Sequence, residues 1–227
     1  MRIAFLLDRL NLGGAERHTL NLARALAARG HAIQVIVLFS GGSEQFPLAD
    51  FPHPPIRLGA KSLFARGLVR QLRTTLAEAA PQTVFAINQT ALVAAQLALR
   101  GKTRYNIRLC CIFHTTEISS LAGKIKVQIF KRFAARSDSL IFVSRLQAEF
   151  WRARGLGAKQ LLVIQNAIQA NHFSPPSPEA RAQMRARFGL AEADLAITLV
   201  GRMAPEKNHA WLIRTLAELR QMQPEAA

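Results

Sequence analysis

Cysteine is nearly absent from this chain. The 227 residues include two, Cys110 and Cys111, side by side in an apolar run. Neighbours on a strand point to opposite faces, so the pair is not placed for a structural disulfide. Two buried thiols fit a reducing compartment better than a redox or metal site. Acidic residues are also scarce, 14 Asp or Glu against 30 Lys or Arg, for a formal charge of +16. That imbalance says little about fold, but it favours anionic partners: nucleic acid, acidic lipid headgroups or phosphate-bearing substrates. Long apolar runs are missing, since no stretch approaches the ~18 residues of a membrane span. The opening Met1–Asp8 is too short for a signal peptide and ends in an acid. The expectation is a cytoplasmic protein, soluble or peripheral at the inner face of the plasma membrane. Nucleic acid is not the expected partner, because the basic segments lack regularly spaced stacking aromatics and any recognisable nucleic-acid-binding signature.

Half of the residues are hydrophobic, enough for one sizeable core and additional material. They fall into short β-rich runs separated by helical patterns. Strands are expected at 3–7, 33–38, 83–87, 107–113, 139–143 and 161–164, with a further short one at 56–58. Helices are expected at 15–29, 62–79, 89–99, 124–135 and 145–154. Continuous apolar strands alternating with amphipathic helices specify an α/β fold: a Rossmann-like parallel sheet covered by helices on both faces. Such sheets bind ligands beyond the carboxyl ends of their strands. A Pro- and Ser-rich stretch, Phe173–Pro178, then interrupts the pattern. After it come a helix at 179–188, a strand at 195–200 and a helix at 210–220. The expected organisation is a first domain over 1–170, a linker and helix over 171–190, and over 191–227 the first βα unit of a second Rossmann-like domain.

Four segments carry candidate chemistry. Asn11–Glu16 lies between the first strand and the first helix. Its Gly13 and Gly14 let the backbone approach a ligand, and the amides at the helix start favour an anion. A plain tight turn has the same appearance. The segment is not the GxGxxG dinucleotide fingerprint, which counts against a dinucleotide-dependent oxidoreductase. Gly201–Asn208 follows the expected strand and opens a helix. Pro205 and Glu206 suit a first turn. Arg202 offers a planar fork and Lys207 a point charge, together a candidate diphosphate clamp or else a solvated basic loop. Phe113–Glu117 places His114 at a strand end, where it is structural or can donate to a sugar hydroxyl or to developing charge. Val163–Gln169, followed by His172–Pro175, has by itself no assignable chemistry.

Taken in order, these segments resemble glycosyltransferase family 4, the retaining transferases with the GT-B fold of two facing Rossmann-like domains. The matching features are Gly13 to Glu16, the strand-end His114, Val143-Ser144, the exit from Ile164 to Pro175, and Gly201 to Asn208. The last is the most specific. The resemblance implies that Arg202 and Lys207 hold the donor's diphosphate and that Gly13 and Gly14 lie against the same phosphates. It implies that His114 is catalytic through the transferred sugar, and that the amino-terminal domain binds the acceptor, a glycan or a lipid-linked glycan. Glu16, Asn88, Ser144 and Asn166 become candidate acceptor or donor contacts. No metal or other cofactor is implied beyond the nucleotide-diphosphate sugar, and no clustered acidic or His/Cys signature argues for one. The chain departs from the family at Ala167 and Gln169, where Gly and Asp are preferred. It also stops at Ala227, ahead of the family's paired-glutamate motif, so a truncated chain of weak or no activity is expected. The alternative is a non-catalytic acceptor-binding or scaffold fragment.

Between Gly59 and Lys159 there are 17 Lys or Arg and 4 Asp or Glu. Lys124, Lys126, Lys131, Arg132 and Arg136 flank an apolar stripe of Ile125, Ile129 and Phe133. Arg66, Arg70 and Arg73 accompany Leu68, Leu72 and Leu76. Either these helices lie on an anionic bilayer, or their stripes face the sheet and the charges are solvated.

Overall fold

The computed structural model describes residues 1–43, 47–100, 106–114, 121–168, 170, 173–201, 203 and 205–222. By its internal contacts the chain divides into two compact units, Met1–Ile168 and Gln169–Ala227.

The first unit is built on a seven-stranded sheet. Its strands are β1 (Arg2–Leu7), β2 (Ala32–Phe39), β3 (Ile56–Ala60), β4 (Thr83–Ile87), β5 (Arg108–Phe113), β6 (Ser139–Phe142) and β7 (Gln160–Val163), in spatial order β3-β2-β1-β4-β5-β6-β7. Every pairing is parallel. The helices are α1 (Gly14–Ala28), α2 (Leu68–Ala79), α3 (Asn88–Leu99), α4 (Leu121–Ala134) and α5 (Arg145–Arg152). The strand order reverses between β1 and β4. The crevice beyond their carboxyl ends is therefore the place where an open α/β sheet offers a binding site.

Side chains alternate across the strands and feed two cores. Ala4, Leu6, Ile36, Leu38, Cys111 and Phe113 pack with α2, α3, α4 and α5 on one face. Ile3, Phe5, Leu7, Val35, Val37 and Cys110 pack with α1 on the other. The two cysteines therefore sit on opposite faces, both buried and free. A cluster of rings fills the first core: Trp151 meets Phe113 edge-on at 5.3 Å, and Phe130 stacks on Phe113 at 5.2 Å.

Two amphipathic helices differ from their expected description. Helix α2 begins at Leu68 rather than Ser62, because Gly67 adopts φ 89° and breaks the helical path. Its Leu68, Leu72 and Leu76 are buried, and the Arg73 guanidinium donates to the carbonyls of Ala98 and Leu97 at 2.9 and 3.4 Å. That residue satisfies the end of α3 rather than facing a bilayer. In α4 the buried residues are Val127, Phe130 and Ala134, while Ile125 and Ile129 are exposed. The stripe containing those two isoleucines is thus a second apolar face, and Phe133 at its far end is partly buried against the core.

The second unit contains α6 (Pro178–Arg187), a 3-10 turn Pro205–Lys207 and α7 (His209–Met222). The strand expected at 195–200 is absent, and the expected βα unit is reduced to an extended segment, a turn and a helix. A strand needs a neighbour for its N–H and C=O groups, and no described residue pairs with this run. None of the described residues of 169–227 is buried. Ala167 is not among the positive-φ residues, so its side chain costs the exit segment no left-handed strain.

Candidate functional site

The site is assembled at the carboxyl edge of the sheet, around the reversal between β1 and β4. Asp8 follows β1, Asn88 follows β4 and opens α3, and His114 follows β5. The β1–α1 loop is fixed from below by a bridge between Leu10 and Gly42, with the Ser43 amide donating to the Leu10 carbonyl at 2.8 Å. Gly42 has φ 118°, and a Cβ there would lie 2.6 Å from the Leu10 carbonyl oxygen, so only glycine fits.

Gly13 and Gly14 are used differently. Gly13 is extended, with φ −122°, and caps α1; a Cβ on it would strike the carboxylate of Glu16. Glu16 thus folds back over the helix start, where a negative charge is favoured by the exposed amides and the helix dipole. Gly14 has open space where its Cβ would be. The approach to the start of α1 is unobstructed on the Gly14 side, whereas the Gly13 amide already donates to the Asn11 carbonyl at 2.8 Å.

His114 is held by its backbone. Its N–H donates to Asn88 Oδ1 at 2.8 Å. Asn88 adopts φ 64°, unusual outside glycine, and so turns its side chain toward β5. From the other side, the buried Gln147 donates through Nε2 to the Phe113 carbonyl at 2.8 Å and accepts from the Val143 amide at 2.9 Å. Ser144 caps α5 by accepting from the Gln147 amide at 3.1 Å. Asn88 thus holds the His114 backbone directly, and Ser144 is linked to the Phe113 carbonyl through Gln147.

The His114 ring lies edge-on to His18 of α1, with centroids 5.3 Å apart. Among the described residues, the buried side-chain polar atoms without a partner are Asp8 Oδ1, His18 Nδ1 and His114 Nε2. Leaving such an atom unsatisfied costs about 1–3 kcal/mol. Three of them, on Asp8 after β1, His18 of α1 and His114 after β5, make this end of the sheet the candidate ligand site. Burial, reinforced by the neighbouring His18, holds the His114 imidazole down to about 4, and burial lowers His18 as well. Both rings are thus neutral near pH 7, each able to donate one hydrogen bond and accept another. Asp8 moves the other way. Burial pushes its carboxyl up to about 6, against a hydrogen bond with Thr90 and the charge of Arg9, with Glu16 adding a smaller upward push.

Asp8, His18 and Thr90 were not singled out from the sequence. Asp8 could have been found as an acid directly ending a buried strand at the reversal point. His18 and Thr90 carry no sequence signal of their own. Asn166 is exposed beyond β7. In the second unit, the Lys207 stem folds over Gly201, with Cγ and Cδ 3.5 Å from the position of a Gly201 Cβ and His209 Nε2 at 3.8 Å. Arg202 lies outside the described residues, as do Thr115, Thr116, Glu117, Gln169 and His172. Among the described residues, no group of three His, Cys, Asp or Glu is placed to hold a metal, and no helix is long and apolar enough to cross a membrane.

The family model of Glycosyltransferase Family 4 matches residues 12–172. A GDP-mannose-dependent alpha-(1-6)-phosphatidylinositol monomannoside mannosyltransferase of Mycolicibacterium smegmatis is 32% identical over 138 residues, covering 59% of this chain and 35% of that protein. Among solved structures, Anabaena HepE in complex with UDP and glucose matches with TM-score 0.75 at 22% identity, over 96% of this chain and 58% of that one. Sucrose-phosphate synthase of Thermosynechococcus elongatus matches with TM-score 0.72 at 18% identity, over 96% and 60%. The chain thus spans about a third of the mannosyltransferase and somewhat more than half of the solved chains.

Proposed function

The chain belongs to glycosyltransferase family 4, and from that premise we propose that it carries the acceptor side of an enzyme that moves a sugar from a nucleoside diphosphate sugar to an acceptor, with retention. The observation that carries this is the trio of unpartnered buried atoms on Asp8, His18 and His114, together with the open space at Gly14 where α1 begins. Neutral imidazoles and a carboxyl at one edge suit sugar hydroxyls, which both donate and accept. His114 is the catalytic contact to the transferred sugar. An anionic group of the substrate lies against the start of α1 at Gly14, where no side chain obstructs it. Lys207, with Arg202, takes the negative charge of the departing diphosphate. In this reading the two cations and helix-start amides do the work of a divalent metal, and a chelator leaves transfer unchanged.

The acceptor is a glycan on a lipid, and the protein sits peripherally on an anionic membrane. The phosphatidylinositol mannoside named for the Mycolicibacterium relative supports this, as do the local excess of cations and the exposed Ile125 and Ile129. Each Lys or Arg near such a surface contributes about 1 kcal/mol. Flotation with anionic and neutral vesicles tests the membrane part; equal binding to both ends it.

The second unit has no strand and no buried residue among those described, so this chain by itself offers little donor affinity and weak transfer. The same observation favours a second reading, an acceptor-binding scaffold. Titration with UDP- and GDP-sugars separates the two. Millimolar binding that falls about tenfold in Lys207→Ala supports the enzyme. No donor binding at millimolar concentration favours the scaffold.

A further inference from the structure

A large apolar opening in the first unit lies beside the site. It encloses about 670 Å³ between the loop before α2 and helices α3 and α4, lined by Phe64, Thr90, Val93, Leu97, Ile129 and Phe133 among others. That is within the ~300–1,000 Å³ usual for a small-molecule site. Its outer lip is unusually apolar for a surface: Phe64 is 92% exposed and Ile129 51%. Its inner wall includes Thr90, the residue hydrogen-bonded to Asp8. One end of the groove is therefore shared with the sugar-binding edge of the sheet, and the other opens to solvent.

Charge decides what kind of apolar ligand fits. The bordering segments, residues 61–79, 88–99 and 121–134, contain eight Lys or Arg and a single acid, Glu78. A purely apolar ligand makes no use of this excess, whereas an amphiphile with a hydrocarbon chain and a phosphate satisfies both features. We propose that this groove holds one hydrocarbon chain of the phosphate-bearing lipid acceptor, with its phosphate taken by the bordering cations and Thr90 marking the end of the groove nearest Asp8. The assignment rests on the sugar-transfer reading given above.

The test is a titration of the whole chain with butyl, octyl and dodecyl phosphate below their aggregation concentrations, with inorganic phosphate as the headgroup alone. Affinity is expected to rise with chain length, up to about fourfold for each methylene that enters the groove. Phe64→Ser and Ile129→Ser alter exposed positions and leave the fold intact. Each should weaken dodecyl phosphate about tenfold while leaving inorganic phosphate unchanged. Val93→Trp, which fills the groove from α3, should abolish the chain-length dependence. Equal affinity for all three alkyl phosphates, or unaltered dodecyl phosphate binding in both serine variants, overturns the proposal. Nucleotide-sugar affinity measured on the same samples keeps the outcomes apart. If it persists while chain-length dependence is missing, the groove assignment alone fails. If chain-length dependence is seen without it, the groove stands and the transfer reading fails.

Discussion

The two units of this chain are made of similar residues and solve the folding problem differently. Residues 1–168 bury both faces of a seven-stranded sheet, and every buried residue described belongs to them. Residues 169–227 have comparable apolar content in α7 and in the 195–200 run, yet Leu195, Val200, Trp211 and Ile213 stay exposed. The difference lies in partners rather than in composition. A parallel strand is stable when neighbours take its hydrogen bonds and helices cover its faces. The first unit supplies both for its inner strands, and among the described residues the second supplies neither for 195–200. Apolar sequence pattern is therefore necessary for a core and does not suffice for one.

The strongest way to break that comparison uses the two tryptophans, one in each unit. Trp151 is 2% exposed and packed on Phe113 and Phe150, whereas Trp211 is 64% exposed. Trp151→Ala should cost about 3–5 kcal/mol in urea unfolding. Trp211→Ala should stay within about 0.5 kcal/mol. A comparable loss from both would mean that α7 has a buried face in solution.

The second largest effect concerns pH, and it should originate in the first unit, where Asp8 and His114 are partly buried. The folded value of His114, about 4, lies below its ordinary 6.5, so over that interval the unfolded chain binds more protons and stability falls as pH drops. Asp8, held at about 6 against 3.8, binds the extra proton when folded, and its contribution falls as pH rises through the same region. Each amounts to about 2 kcal/mol once partial exposure is allowed for. Between about pH 4 and 6 they oppose one another, and the wild-type profile should be shallow there. Asp8→Asn removes one arm, and stability should then climb from pH 4 to 6.5. His114→Phe removes the other, and stability should decline from pH 4 to 6. Urea midpoints across this range check both, and unchanged slopes in the two variants would dismiss the buried trio as a coupled site.

What could be read from the sequence follows the same division. Strand β4 and the alternation of sheet and helix were legible because each buried strand is a continuous apolar run bounded by turns. The places of His114 after β5 and of Gly13 and Gly14 before α1 were legible from the alternation of strand and helix; their roles were not. The start of α2 was misjudged because Gly67 is a break visible only through its backbone angle. The outward face of α4 was hidden because two apolar stripes wind around one helix, and the sequence does not say which meets the sheet. The 195–200 run has strand composition, and no described residue pairs with it. Asp8, His18 and Thr90 escaped notice because they converge from three elements, and convergence is a property of the fold. Arg202, central to the resemblance, lies outside the described residues, so of the two proposed clamp residues only Lys207 is described.

The smallest effect gives the sharpest contrast, because the same interaction occurs once in each unit. Ser144 caps α5 by accepting from the Gln147 amide at 3.1 Å, and Ser177 caps α6 by accepting from the Ala180 amide at 3.2 Å. Removing an N-cap hydroxyl costs about 1 kcal/mol of helix stability. In Ser144→Ala that loss should appear in full in the main unfolding transition, because α5 carries the buried Ala148 and Trp151 and cannot fray without opening the core. In Ser177→Ala the transition should not move, because α6 has no buried residue and melts on its own account. The loss should instead appear as faster amide exchange confined to 178–187. If Ser177→Ala lowered the main midpoint as much as Ser144→Ala, the helix would be part of the same cooperative unit, and the contrast between the two halves of the chain would have to be withdrawn.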